Sequence, residues 1–253
     1  MKFRCSYHLG DQMFTLWYLN LAAKQFPEVE FSFYVPWEYY REISPLAAQF
    51  SNLTVTAMPS EGMLDCWIGQ DGWYSRRNPN RFVDFLMEFH AHLAAKHGLG
   101  QWPAFPREAM LLPAANMVSE HALKDQSFDL LFVNSVAMSN QCPGYNRDDL
   151  DQLAKECALN GIRTVVTHPC GMDLPTTTTL GLRLNQLGEL ASRCRVVAGV
   201  ANAPFLATFN ELAFPKVEWW LNYSIDRVNF DESRVIPILS IRELRDGIVA
   251  KLL

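Results

Sequence analysis

The stretch best equipped for chemistry is His8-Leu9-Gly10-Asp11-Gln12. An acid placed just before an apolar-periodic run sits at the amino end of a helix. There it can accept the free amide of a residue two or three further on, as an N-cap, or take a proton from an attacking hydroxyl as a general base. Gly10 allows a positive φ or the close approach of a ligand to the backbone. Gln12 opens a helix whose free amides and partial positive charge suit an anion. The plain alternative is a capped turn, with His8 a strand-end histidine.

Two further constellations lie in the second half. Thr179-Leu180-Gly181 precedes a helix, a strand and then Ala201-Asn202-Ala203-Pro204, whose small residues would let a phosphate or ribose approach the next helix; close packing with no ligand is the alternative. Asn134-Ser135 and His168 each follow a strand. In a parallel sheet the carboxyl ends of strands share one edge, so Asn134, Ser135, His168 and Asn202 would meet there around a base or phosphate. His168 beside a proline also reads as an ordinary surface histidine. Trp73, Tyr74, Arg76 and Arg77 form an aromatic-basic loop able to stack on a sugar or pair with a phosphate, or simply a surface loop. His90, His92 and His97 contain no pair one helical turn apart, so no metal site is expected. There is no GxSxG, GxxxxGK[ST] or GxGxxG, which disfavours hydrolase triads, P-loop chemistry and dinucleotide oxidoreduction.

Strand and helix must alternate to hold these motifs, and the patterning says they do. Strands are predicted over residues 3–8, 29–35, 53–58 and 64–68, with helices over 12–26, 38–50 and 80–97, Asp11 capping the first. Three prolines between Gln101 and Pro113 break the pattern, and a helix over 114–123 is expected beyond them. Strands then fall at 128–135, 162–167, 195–200, 217–223 and 234–239. Helices fall at 147–160 (Asn146 cap), 184–194, 203–212 and 241–252 (Ser240 cap), with Thr176–Thr179 a polar loop. Such alternation argues for an α/β protein of two Rossmann-like domains with parallel sheets and a cleft between them. The expected boundaries are 1–112 and 127–253, joined by 113–126.

With 253 residues, 49% of them hydrophobic, the chain can bury a large core. Its net charge is −5 and no Lys/Arg run exceeds Arg76-Arg77, so a nucleic-acid partner is not expected. Six scattered cysteines without a CxxC pair read as reduced thiols. No apolar run is long enough to span a bilayer, and no signal peptide is expected, which points to the cytoplasm.

Residues 8–35, with Leu-Gly-Asp after the first strand and a long helix leading through Phe26-Pro27 to the next, resemble the opening of GT-B glycosyltransferases, in particular the ADP-heptose:lipopolysaccharide heptosyltransferase-like family. Residues 179–214 resemble that family's donor segment, a helix and a Val-rich strand ahead of a tight turn. The resemblance implies an acceptor held by the first domain and a nucleotide-diphosphate sugar held mainly by the second. It also implies inverting, metal-independent transfer to a cell-surface glycan or related acceptor, with no cofactor beyond the donor substrate. It places the family's base on Asp11; with His8, Gly10 and Gln12 forming the turn around it, the shared strand edge then puts Asn134, Ser135, His168 and Asn202 on the donor side. Peripheral membrane contact is compatible with it, and the oligomeric state is left open. Where the family carries Asp-Ser/Thr-Gly-x-x-His this chain has Ala201-Asn202-Ala203-Pro204-Phe205-Leu206, and no lysine stands between Val136 and Arg147. A catalytically silent nucleotide- or carbohydrate-binding protein of the same fold is therefore the alternative. A third reading is an interaction module docking through exposed Trp219-Trp220 and Trp73.

Overall fold

The structure, a computed structural model, describes residues 1–47, 50–57, 63–67, 82–100, 111–135, 145–222 and 234–253. The chain divides into two compact units, Met1–Met117 and Val118–Leu253. The aromatic-basic loop with Trp73, Tyr74, Arg76 and Arg77 lies outside the described residues, as does Cys142.

Unit 1 runs β1 (Lys2–Arg4), α1 (Leu9–Gln25), β2 (Phe31–Val35), α2 (Trp37–Ile43), β3 (Leu53–Ala57), β4 (Leu64–Asp65) and α3 (Phe82–Lys96). The strands form one parallel sheet ordered β3-β2-β1-β4. The dense apolar content of α1 buries Met13, Leu16, Trp17, Tyr18 and Leu19 completely, each side chain contributing roughly 1.5–3 kcal/mol. Phe3 of β1 meets Tyr18 edge-on at 6.1 Å. His90 of α3 and His97 just beyond it are buried histidines of this core. Burial pushes their pKa values down to about 3 and about 4, so both are neutral at ordinary pH.

Several sequence expectations shorten here. β1 ends at Arg4 rather than residue 8, because the carbonyls of Cys5 and Tyr7 accept from the Gln12 side chain instead of a neighbouring strand. The helix expected over 38–50 stops at Ile43 and tightens into a 3₁₀ turn, Ser44–Ala47, where Pro45 lacks an amide. The helix expected over 114–123 is a single 3₁₀ turn, Ala114–Asn116. Its neighbours bond elsewhere: the Asn116 side chain donates to the Leu46 carbonyl at 2.6 Å, and the Val118 amide to Asn185.

Unit 2 runs β5 (Leu130–Val133), α4 (Arg147–Leu159), β6 (Thr164–Val166), α5 (Leu184–Ala191), β7 (Val196–Val200), α6 (Ala203–Ala207), β8 (Glu218–Asn222), β9 (Val235–Ile238) and α7 (Ile241–Leu252). The sheet is again parallel, ordered β6-β5-β7-β8-β9. β5 and β7 are buried along their whole length, as strands covered on both faces must be. Residues of β5, β7, α4 and α7, among them Leu130, Phe132, Leu150, Val196 and Ile248, share one apolar cluster. Asn146, Asn202 and Ser240 each cap their helix by a side-chain hydrogen bond.

Gly199 is required by sterics. Its φ is +138°, and a Cβ there would lie 2.2 Å from the Val133 carbonyl oxygen of the adjacent strand. The Thr176–Thr179 stretch is more than a polar loop: Thr176 pairs in parallel with Val166, and Thr176 and Thr177 are buried. Trp219 and Trp220, expected as exposed docking aromatics, are 0% and 3% exposed. They lie on a covered central strand, where Trp219 stacks on Phe209 at 5.1 Å and its Nε1–H donates to Thr208 Oγ1 at 2.8 Å. The interaction-module reading loses its main support.

Candidate functional site

In a doubly wound parallel sheet, ligands gather beyond the carboxyl ends of the strands where successive connections diverge to opposite sides. In unit 1 that point lies between β1 and β4, since the chain runs from β1 out to β2 and β3 and returns to β4 on the other side of β1. The residues following these two strands, 5–8 and 66–67, flank it. α1 starts there.

The cap of α1 corrects the sequence expectation. The N-cap is His8, with extended φ and ψ of −62° and 162° and no side-chain cap bond. Asp11 lies inside the first turn, its backbone amide donating to the His8 carbonyl at 2.9 Å. Gly10 is helical, outside the positive-φ glycines, so it serves no left-handed turn. Nothing lies within 4 Å of where its Cβ would project, which leaves that surface open. The carboxylate is therefore not the N-cap group; it faces the backbone amides of His8 and Asp11 at the helix start.

Asp11 is half-buried, and desolvation raises its pKa from 3.8 to about 6. The nearby His8 ring and the backbone amides of His8 and Asp11 oppose that rise without cancelling it. From α2, Tyr39 feels the Asp11 carboxylate, which together with burial and Glu38 raises its own pKa. A carboxyl group poised close to neutrality, at a helix start beside the divergence point, is suited to accept a proton.

Gln12 does not face outward. It is fully buried, and its Nε2 donates to the carbonyls of Cys5 and Tyr7 at 2.9 Å each, bracing the loop between β1 and α1. Thr15 Oγ1 donates to the Asp11 carbonyl at 3.0 Å. Burial drives the Cys5 thiol up to about 12 and Cys66 up as well, so neither supplies a nucleophile.

In unit 2 the divergence point lies between β5 and β7. There the structure joins two of the predicted residues: Asn202 Nδ2 donates to the carbonyl and hydroxyl of Ser135, both at 2.8 Å. Asn202 Oδ1 accepts the Phe205 amide at 3.0 Å. Asn134 is wholly buried and ties β5 to β6. Its Nδ2 donates to Asp151 at 2.6 Å and to the His168 carbonyl at 2.9 Å. Its Oδ1 accepts from Thr167 Oγ1 at 3.0 Å and from the His168 amide at 2.9 Å. Both amides are therefore spent on the fold.

His168 remains half-buried, and desolvation, then Arg147, lowers its pKa while Asp151 opposes. Its imidazole makes no hydrogen bond among the described residues. Arg147, which sequence reasoning treated only as a helix start, grips Asp151 at 3.1 Å and donates to the Pro169 carbonyl at 2.8 Å. An Arg–Asp spacing of four on the first turns of a helix was the available signal for it. Among the described residues, no three His, Cys, Asp or Glu side chains gather as metal ligands would.

No protein-family model matches the chain, and no curated protein matches it in sequence. Solved structures do. The E. coli heptosyltransferase WaaC with ADP-2-deoxy-2-fluoro heptose aligns over 99% of both chains at TM-score 0.58 and 10% identity. E. coli ADP-heptose lps heptosyltransferase II aligns over 99% of this chain and 98% of its own at 0.53 and 12%. A glycosyl transferase family 9 protein from Veillonella parvula aligns over 100% and 90% at 0.54 and 11%. At such identities the likeness is one of fold: the chain is an α/β protein with two parallel sheets, folded as these glycosyltransferases are.

Proposed function

We propose that this protein is a glycosyltransferase that moves a sugar from a nucleoside-diphosphate donor to a glycan-type acceptor, with Asp11 as the base. The observation that carries the proposal is the half-buried Asp11 carboxyl group, its pKa raised to about 6, in the first turn of α1 beside the divergence point of its sheet. In this reaction the carboxylate takes the proton of the acceptor hydroxyl as that oxygen bonds to the anomeric carbon. The bond from the anomeric carbon to the diphosphate breaks on the opposite face, so configuration inverts and the diphosphate leaves with the electron pair. Unit 1 holds the acceptor and unit 2 the donor. The donor diphosphate is neutralised by helix amino ends and basic side chains, with no metal required.

A silent binding protein is the second reading. It is favoured by Ala201, Ala203 and Leu206 where the resembled turn carries acid, glycine and histidine, and by an Asn202 amide already committed to Ser135 and Phe205. Donor hydrolysis and transfer, assayed over a panel of ADP-, UDP- and GDP-sugars with wild type and Asp11→Asn, separate the two. Turnover abolished by the substitution supports transfer; binding of a nucleotide without turnover by either protein supports the silent reading. Equal turnover by both proteins removes Asp11 from the mechanism.

A further inference from the structure

We infer that the paired rings of Tyr7 and Trp67 form a stacking platform for a pyranose, the acceptor ring presented to Asp11; this rests on the transfer reading above. The two residues lie in the segments that leave β1 and β4, three and two positions beyond Arg4 and Asp65, and so flank the divergence point of the unit 1 sheet. Their ring centroids lie 3.8 Å apart with an interplanar angle of 11°. An isolated aromatic pair prefers an offset or edge-on arrangement with wider spacing, so the backbone must hold this one. It does: Gln12 Nε2 grips the Tyr7 carbonyl at 2.9 Å, and the Trp67 amide donates to Asp65 Oδ1 at 2.9 Å.

One face of each ring is covered by the other, yet Tyr7 keeps 41% of its surface exposed. The Tyr7 ring is therefore partly in water beside the divergence point, and an exposed aromatic ring is a surface of the kind that the C–H face of a pyranose covers while its hydroxyls stay solvated. The residue that braces Tyr7 is the chain neighbour of Asp11, so platform and base are fixed by one bracket.

The test is saturation-transfer NMR and tryptophan fluorescence on the full chain with neutral methyl pyranosides (gluco, galacto and manno). Wild type, Tyr7→Phe, Tyr7→Ala and Asp11→Asn are compared. The expected result is saturation of ring C–H protons by wild type, retained in Tyr7→Phe and Asp11→Asn, with affinity weakened about tenfold in Tyr7→Ala. Equal binding by wild type and Tyr7→Ala, or no binding of any pyranoside, overturns the platform. So does burial of Tyr7 and Trp67 by zwitterionic or anionic lipid vesicles in place of sugar. Because binding is read without turnover, these outcomes stand apart from failure of the base: an Asp11→Asn protein that still turns over leaves the platform intact, and lost sugar binding leaves an Asp11-dependent transfer intact.

Discussion

Replacing Asp11 by Asn should stabilise this protein while silencing it. Desolvation raises the folded-state pKa of Asp11 from 3.8 to about 6, a shift worth about 3 kcal/mol. A raised carboxylate pKa means that the native state holds the proton more tightly than the unfolded chain. The associated stability is complete below the unfolded pKa, falls as pH rises through the folded value near 6, and is level above it. At neutral pH the ionised Asp11 is thus a liability that asparagine removes. Partial solvation of the half-buried group and loss of a favourable acid–helix interaction of about 0.5 kcal/mol reduce the gain to about 1–2 kcal/mol. The assay is urea unfolding of both proteins, followed by tryptophan fluorescence and far-UV dichroism from about pH 4 to about pH 8. The difference between them should be near zero or slightly against the variant at the acid end and open in its favour as pH climbs through 6. An Asp11→Asn protein whose deficit against wild type opens as pH rises through the ordinary carboxylate range would refute the reasoning, because an acid that complements the helix start by its charge behaves that way.

His8 lowers the Asp11 pKa through its charge, so His8→Gln should move the acid limb of any turnover profile to higher pH, read as a shift of the pH–rate curve. Gly199→Ala should cost about 4 kcal/mol or more, since its Cβ would meet the Val133 carbonyl at 2.2 Å; soluble yield and thermal unfolding report it. Asn134→Ala should cost about 3 kcal/mol in urea unfolding by stranding Asp151 and the His168 backbone. Trp219→Ala should cost about 3–5 kcal/mol rather than merely altering a surface, because the ring fills the core.

The strand–helix alternation was legible because the physics that fixes it is local. Runs such as Leu130–Val133 and Val196–Val200 are apolar without alternation, and strands covered on both faces must be so. Asn146 and Ser240 cap as their types dictate, since an N-cap bond spans only three residues. Asp11 is not the N-cap because the helix already starts at Leu9, where Gln12 reaches back to brace the Cys5 and Tyr7 carbonyls of the preceding loop. Trp219 and Trp220 were misread because a sequence does not say which strands a sheet flanks on both sides, as β7 and β9 flank β8. The need for Gly199 lies in the opposing Val133 carbonyl, a contact 66 residues away in sequence (199 minus 133).

The two divergence points treat polar side chains oppositely, and that contrast bears on chemistry. In unit 2, Asn134 and Asn202 spend their amides knitting β5, β6 and α6 together, so rigidity is gained where ligand contacts were expected. Among the described residues there, the His168 imidazole and the exposed Thr179 stand outside this network, whereas Thr178 Oγ1 donates to the Thr167 carbonyl at 2.7 Å. In unit 1 the bracing is done by Gln12, through backbone carbonyls, and the half-buried Asp11 carboxylate stays at the edge with its pKa raised. A half-buried carboxylate raised to about 6 and a bare aromatic face are both costly to keep. A fold that needed only stability would neutralise the first with an asparagine and cover the second. Keeping both at one divergence point is the arrangement expected where local stability is given up for a reaction.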